Sequence, residues 1–196
     1  MNTEYMTKHG VTYQQFVHGL VKSPAQLADE MNFEKLNLNH MIFGICGEAG
    51  ELLENAKYLN SEKNLVGELG NYEFYFLEEL GDYEFYFVEL VRALAVIIVD
   101  DIEYSFDTVG ELFIELAIES ANMLDCVKKY TVYNKTIDST IAIRHASNIR
   151  FLLDMIYDRC EISKEKVLEY NVDKLSIRYE NLKFSNEAAS ERKDKA

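Results

Sequence analysis

Two pairs of acids stand one helical turn apart in the first half of the chain: Glu48 and Glu51 in GICGEAGELLENAKYL, then Glu79 and Asp82 in LEELGDYEFYF. On a helix, residues i and i+3 share a face, so each pair presents two carboxylates to one side. Two such faces brought together surround one point with hard oxygen ligands, a set that suits Mg²⁺, with Mn²⁺ as a substitute. Water and a substrate phosphate would complete the coordination. The plainer reading of acids at this spacing is a solvated surface. Their neighbours argue for helix approach instead: Gly47, Ala49 and Gly50 flank the first pair, and Leu80 and Gly81 lie inside the second. A glycine inside a helix costs roughly 1 kcal/mol, so several together need a structural reason.

The elements that must hold these acids are helices. A single proline, Pro24, and apolar residues at helical spacing predict an all-α fold resembling a four-helix bundle. Helices are expected near 12–22, 38–59, 66–98, 108–130, 138–160 and 164–182. Ser163 ahead of Lys164 can cap the last of them. Segments 60–64 and 130–139 read as the turns of two hairpins, so residues 1–98 form one unit and 99–184 a second. The polar stretch 185–196 reads as a mobile tail.

Two repeats run through this pattern. ELGNYEFYFLE at 68–78 is followed at once by ELGDYEFYFVE at 79–89. Eleven residues complete three helical turns with about 20° of drift, so both copies show the same face, with their acids about 16 Å apart. Only one copy can stand opposite Glu48 and Glu51. The second copy keeps both acids, Glu79 and Asp82, and is preferred; the first has Glu68 and Asn71 and remains the alternative. A turn centred near Ser61 would place the level partner at 73–74, between the copies. The longer repeat aligns 47–59 with 118–130 without a gap, setting Glu48 on Glu119, Glu51 on Asn122 and Glu54 on Asp125. It also sets Glu79 on His145 and Asp82 on Asn148. Apolar positions survive and acids are replaced, as expected if both halves fold alike and only the first binds metal.

Composition sets the limits. A formal net charge of −14 opposes binding to duplex nucleic acid. No apolar run approaches the ~18 residues of a membrane span, and no leader pattern opens the chain, so a cytoplasmic protein is expected. Cys46, Cys126 and Cys160 are odd in number and widely spaced, which reads as reduced core thiols. No P-loop sequence is present.

Taken together, GEAGELLENAKYL, NLVGELGNYEFYF and EELGDYEFYF resemble the ExxE and ExxD signature of the all-α nucleoside triphosphate pyrophosphohydrolases, specifically the MazG-like group. ISKEKVLEYNVDKLSIRY resembles the same group's NxxKLxxRY segment, A-x-x-R-K-D-K at 189–195 its trailing basic tail, and YQQFVHGLVKSP at 13–24 its N-terminal segment. The resemblance implies that Glu48, Glu51, Glu79 and Asp82 hold Mg²⁺ and that Asn171, Lys174, Arg178 and Tyr179 contact a triphosphate. Positions 171, 174 and 178 do share a helical stripe. Tyr179 lies about 100° round from Arg178 and is equally a core candidate. The group's common form pairs single-unit subunits, whereas this chain resembles a tandem form with a degenerate second unit, a pseudo-dimer in one chain that could pair again as a homodimer.

The reaction implied is hydrolysis of an NTP or dNTP to monophosphate and pyrophosphate, with Glu51 orienting or deprotonating water beside Glu48. Base and sugar stay open, as does a role in house-cleaning or in trimming a dNTP pool. His40 and the aromatic residues of 72–87 can stack on a base or fill the core. The rival reading is a decayed, non-catalytic helical module that binds nucleotide or a protein partner. A third is an acidic bundle that mimics nucleic acid.

Overall fold

The computed structural model describes residues 12–56, 65–99, 105–179 and 182–195, with the side chains of 13, 14, 18 and 65–74 outside that description. Within it the chain is all-α. The helices are α1 (Tyr13–Leu20), α2 (Pro24–Glu30), α3 (Phe33–Ala56), α4 (Leu65–Leu94), α5 (Val109–Thr131), α6 (Ser139–Cys160), α7 (Lys164–Arg178) and α8 (Asn186–Glu191), followed by a 3₁₀ turn at Lys193–Lys195. No described helix is long and apolar enough to cross a membrane.

Six of these correspond to the expected helices, and their ends have local causes. Ser163 caps α7 by accepting from the Lys166 N–H, and Thr108 and Glu111 form a reciprocal capping box at the start of α5. α4 stops at Leu94 rather than 98 because Ala95 turns into the left-handed region at φ 51°. α7 stops at Arg178 because Tyr179 leaves helical geometry at φ −119°, ψ 76°. The extra helix α2 is a capping product: Ser23 and Gln26 bond reciprocally and Pro24 occupies the first turn, where its missing N–H costs nothing.

α3 packs against both α4 and α5, α5 against α6, and α4 also touches α6, so the four long helices close a ring around one core; α7 lies on α4. The spacing of apolar residues dictates this arrangement. On α3, Leu38, Ile42, Ile45, Ala49, Leu52 and Ala56 form one stripe and all are buried. Each fully buried leucine or isoleucine contributes about 1.5–3 kcal/mol. Both copies of the eleven-residue repeat lie in α4, and the equivalent Phe76 and Phe87 are both buried, as that period requires.

Polar ties set how α4 meets its neighbours. The Tyr83 hydroxyl, fully buried, meets Ser120 Oγ on α5 at 2.8 Å, and because Ser120 itself donates to the Leu116 carbonyl, Tyr83 is the donor. Buried Glu84 accepts from Arg150 at 2.7 Å and Tyr157 at 2.9 Å, both on α6. Removing either basic or hydroxyl partner would strand part of a desolvated carboxylate, a loss of about 1–3 kcal/mol. Cys46, Cys126 and Cys160 are free thiols, and burial pushes Cys160 up to about 12.

The C-terminal segment departs from the expected mobile tail. α8 and the 3₁₀ turn dock on α7, and the Asp194 side chain, 1% exposed, takes both arms of the Arg178 guanidinium at 2.7 and 2.6 Å. A paired fork of this kind is among the stronger ionic contacts and gives a polar segment a fixed place.

Candidate functional site

Glu48 and Glu51 share one face of α3 because they are one turn apart, and α4 brings Glu79 to that face. One carboxylate oxygen from each lies within 4.8 Å of the others. Glu68 and Asn71, the alternative copy, have side chains outside the described residues. Three acids this close repel when ionised. Burial pushes Glu48 up to about 8, with the charges of Asp82, Glu79 and Glu51 adding to the effect. Glu79 is also raised, chiefly by burial and then by Glu51. Glu48 and Glu79 hydrogen-bond to each other, so a proton is shared within the pair.

Asp82 takes a different place from the one a fourth ligand would have. Lys174 Nζ donates to both its oxygens at 2.6 Å, and Asn171 Nδ2 donates at 2.8 Å. Asn171 and Lys174 are themselves buried, at 7% and 5% exposure, so α7 offers them to α4 rather than to the open cleft. Gly81 permits this approach: a Cβ there would sit 2.9 Å from the Asn171 Cβ. At Gly44 a Cβ would meet the Tyr86 ring at 2.5 Å. These two glycines, not Gly47 and Gly50, are where helices come close; the latter have nothing within 4 Å.

The acids form one wall of a cleft of about 380 Å³. Glu78 joins Glu48, Glu51, Glu79 and Asp82 on that wall, and Arg178, Arg192 and Lys195 face it. Lys195 reaches Glu78 at 3.0 Å, and Arg178 is held by Asp194. Beside it lies a second compartment of about 340 Å³, lined by His40, Phe85, Tyr86, Leu175, Tyr179 and Phe184, among others. Asp82, Tyr86 and Arg178 border both compartments. Ring contacts shape the second one: His40 meets Tyr86 edge-on at 5.9 Å, and Tyr179 meets Phe184 at 5.7 Å. Tyr179 is therefore half-buried at a cavity wall and not in the bundle core.

Of the eight expected site residues, Glu48, Glu51 and Glu79 converge, Asp82 and Arg178 border the same cleft, Tyr179 borders its neighbour, and Asn171 and Lys174 stand behind Asp82. Glu78, Arg192, Lys195 and Phe184 were not among the expected contacts. The basic tail at 189–195 was the available signal for Arg192 and Lys195, but periodicity gave no reason to fold it back. In the second half, Glu119 accepts from His145 Nδ1 at 2.6 Å and from Asn148 Nδ2 at 3.1 Å, so three of the four aligned positions close on one another, while Asn122 stays exposed. No family model, curated protein or solved structure matches this chain.

The donor set fits a hard divalent cation. All three converging groups offer carboxylate oxygens, and the burial and like charge that together raise Glu48 are what a bound cation would offset.

Proposed function

We propose that this chain is a Mg²⁺-dependent nucleoside triphosphate pyrophosphohydrolase of the MazG-like all-α type, acting as a single-chain pseudo-dimer. It would convert an NTP or dNTP to the monophosphate and pyrophosphate. The observation that carries the reading is the convergence of Glu48, Glu51 and Glu79 opposite Arg178, Arg192 and Lys195, with an aromatic compartment alongside. The two compartments match the two ends of a nucleotide: a phosphate chain needs cations and acids that hold metal, and a base needs flat rings.

Mg²⁺ bound at the acids would screen phosphate charge and acidify a bound water. The chain's own residues supply the rest. Glu51, the exposed member of the trio, is placed to orient or deprotonate the attacking water while Glu48 and Glu79 hold the acidic face. Arg178, Arg192 and Lys195 offset charge on the leaving pyrophosphate. Lys174 and Asn171 fix the Asp82 carboxylate and reach phosphate only if that carboxylate turns away. Tyr86, Tyr179, Phe184 and His40 would flank the base.

One observation favours the rival reading of a nucleotide-binding protein without turnover: Asp82 is already neutralised by Lys174. Turnover by the unaltered chain separates the cases, and comparing E79Q with E68Q decides which copy of the repeat carries the site. Loss of turnover in E79Q with activity kept in E68Q supports the proposal; full activity in E79Q refutes the assignment of Glu79.

A further inference from the structure

The second half carries a cleft that the hydrolase reading does not use. It lies between α5, the loop after it and α6, has a volume of about 540 Å³, and is lined by Asn122, Lys129, Lys135, Arg144 and His145 together with Asp125 and Asp138. By the longer repeat, whose two aligned stretches differ in offset, Asn122 stands where Glu51 stands in the first half and His145 where Glu79 stands. The same two positions that build an acidic wall in one unit thus border a cleft with three permanent cations in the other.

The charges in it are not all committed. Asp125 is taken by Lys128 and Lys129 at 2.6 Å each, which holds its carboxyl down at about 2. Asp138 spends an oxygen capping α6, accepting from the Ile141 N–H at 3.1 Å. The side chains of Lys135 and Arg144 are exposed and make no ion pair or hydrogen bond among the described residues. His145 is 8% exposed; its Nδ1 is fixed on Glu119, and its Nε2 meets no hydrogen-bond partner among the described residues. Glu119, the one of the four site acids that the repeat retains, is turned inward and satisfied by His145 and Asn148, so it does not oppose an anion in the cleft.

We propose that this cleft binds a small phosphorylated anion, with Arg144 and Lys135 donating to its oxygens, His145 on its wall, and Lys129 and Asn122 at its edge. Guanidinium and ammonium groups without carboxylate partners are the donor set that phosphate oxygens take. The ligand is small because the chain's net charge of −14 repels a polyanion over distances a screened small ion does not feel. The cleft exceeds the acidic one in volume, leaving room for an oligophosphate or a nucleotide. The inference does not depend on the hydrolase reading, since no residue of the acidic cleft takes part.

The test is a titration of the full chain with inorganic pyrophosphate, without metal and with chelator present, followed by calorimetry and phosphorus NMR. Saturable one-site binding is expected, weakened about tenfold for each cation removed in K135Q, R144Q and the double variant. It should persist in R178Q, since Arg178 borders the acidic and aromatic compartments and takes no part in this cleft. Both substituted side chains are exposed, and circular dichroism with thermal unfolding would check that the double variant remains folded. Absence of pyrophosphate binding by the unaltered chain, binding undiminished in the double variant, or loss in R178Q instead would each overturn the proposal.

Discussion

Replacing Glu48 by glutamine should stabilise the metal-free protein at alkaline pH while abolishing turnover. The carboxyl at 48 sits at about 8 in the folded chain against 4.5 when unperturbed, because burial and three nearby acids disfavour its ionised form. An acid raised on folding binds more protons folded than unfolded between those two values, so stability falls as pH rises from about 4.5 to about 8. At 1.36 kcal/mol per pH unit that gap sets a ceiling of about 5 kcal/mol. The cleft is open to water and the acids are coupled, which lowers the figure to the order of 2 kcal/mol, or roughly 5 °C in a chain of this size. Glutamine at 48 cannot ionise and still donates to Glu79, so the wild-type loss should be largely absent. Thermal unfolding of both proteins with chelator, from pH 4.5 to 8.5, reads this directly. Adding Mg²⁺ should then raise the wild type and leave E48Q nearly unmoved, reversing their order through linkage. A wild type with flat stability across this range, or E48Q less stable than wild type at pH 8.5 without metal, would refute the crowding of these carboxylates.

E119Q should leave nucleotide turnover unchanged, because the second unit holds no metal in this account. It should nevertheless lower stability by about 1–3 kcal/mol, since an amide cannot accept from both His145 and Asn148 in the same way; denaturant unfolding measures the loss and initial rates the lack of effect. F184A should raise KM about tenfold for the preferred nucleotide with kcat little altered, the loss of one ring contact in the aromatic compartment, and should flatten preference across bases; equal KM values would remove that compartment from base binding.

The long helices were legible because a continuous apolar stripe, such as Leu38 to Ala56 on α3, needs a period near 3.6 and nothing else. α2 and α8 were not, because at seven and six residues they rest on capping side chains rather than on periodicity. Glu79 was singled out because its copy of the repeat retains both acids, whereas the register of a symmetric hairpin pointed to 73–74. The pairing of Asp82 with Lys174 was hidden for another reason. A helical stripe shows that Asn171, Lys174 and Arg178 lie together, but not whether they face solvent or α4, and the ordered ends of α7 and the tail decide that. Gly81 carried the missing information, since only a residue without Cβ lets Asn171 come so near.

The central claim is tested most directly by incubating the purified chain with a panel of NTPs and dNTPs, with and without Mg²⁺, separating the nucleotides and assaying pyrophosphate. The account predicts metal-dependent formation of monophosphate and pyrophosphate in equal amounts, lost in E48Q. Release of orthophosphate with diphosphate, or no product from any nucleotide by folded protein in Mg²⁺, would contradict it.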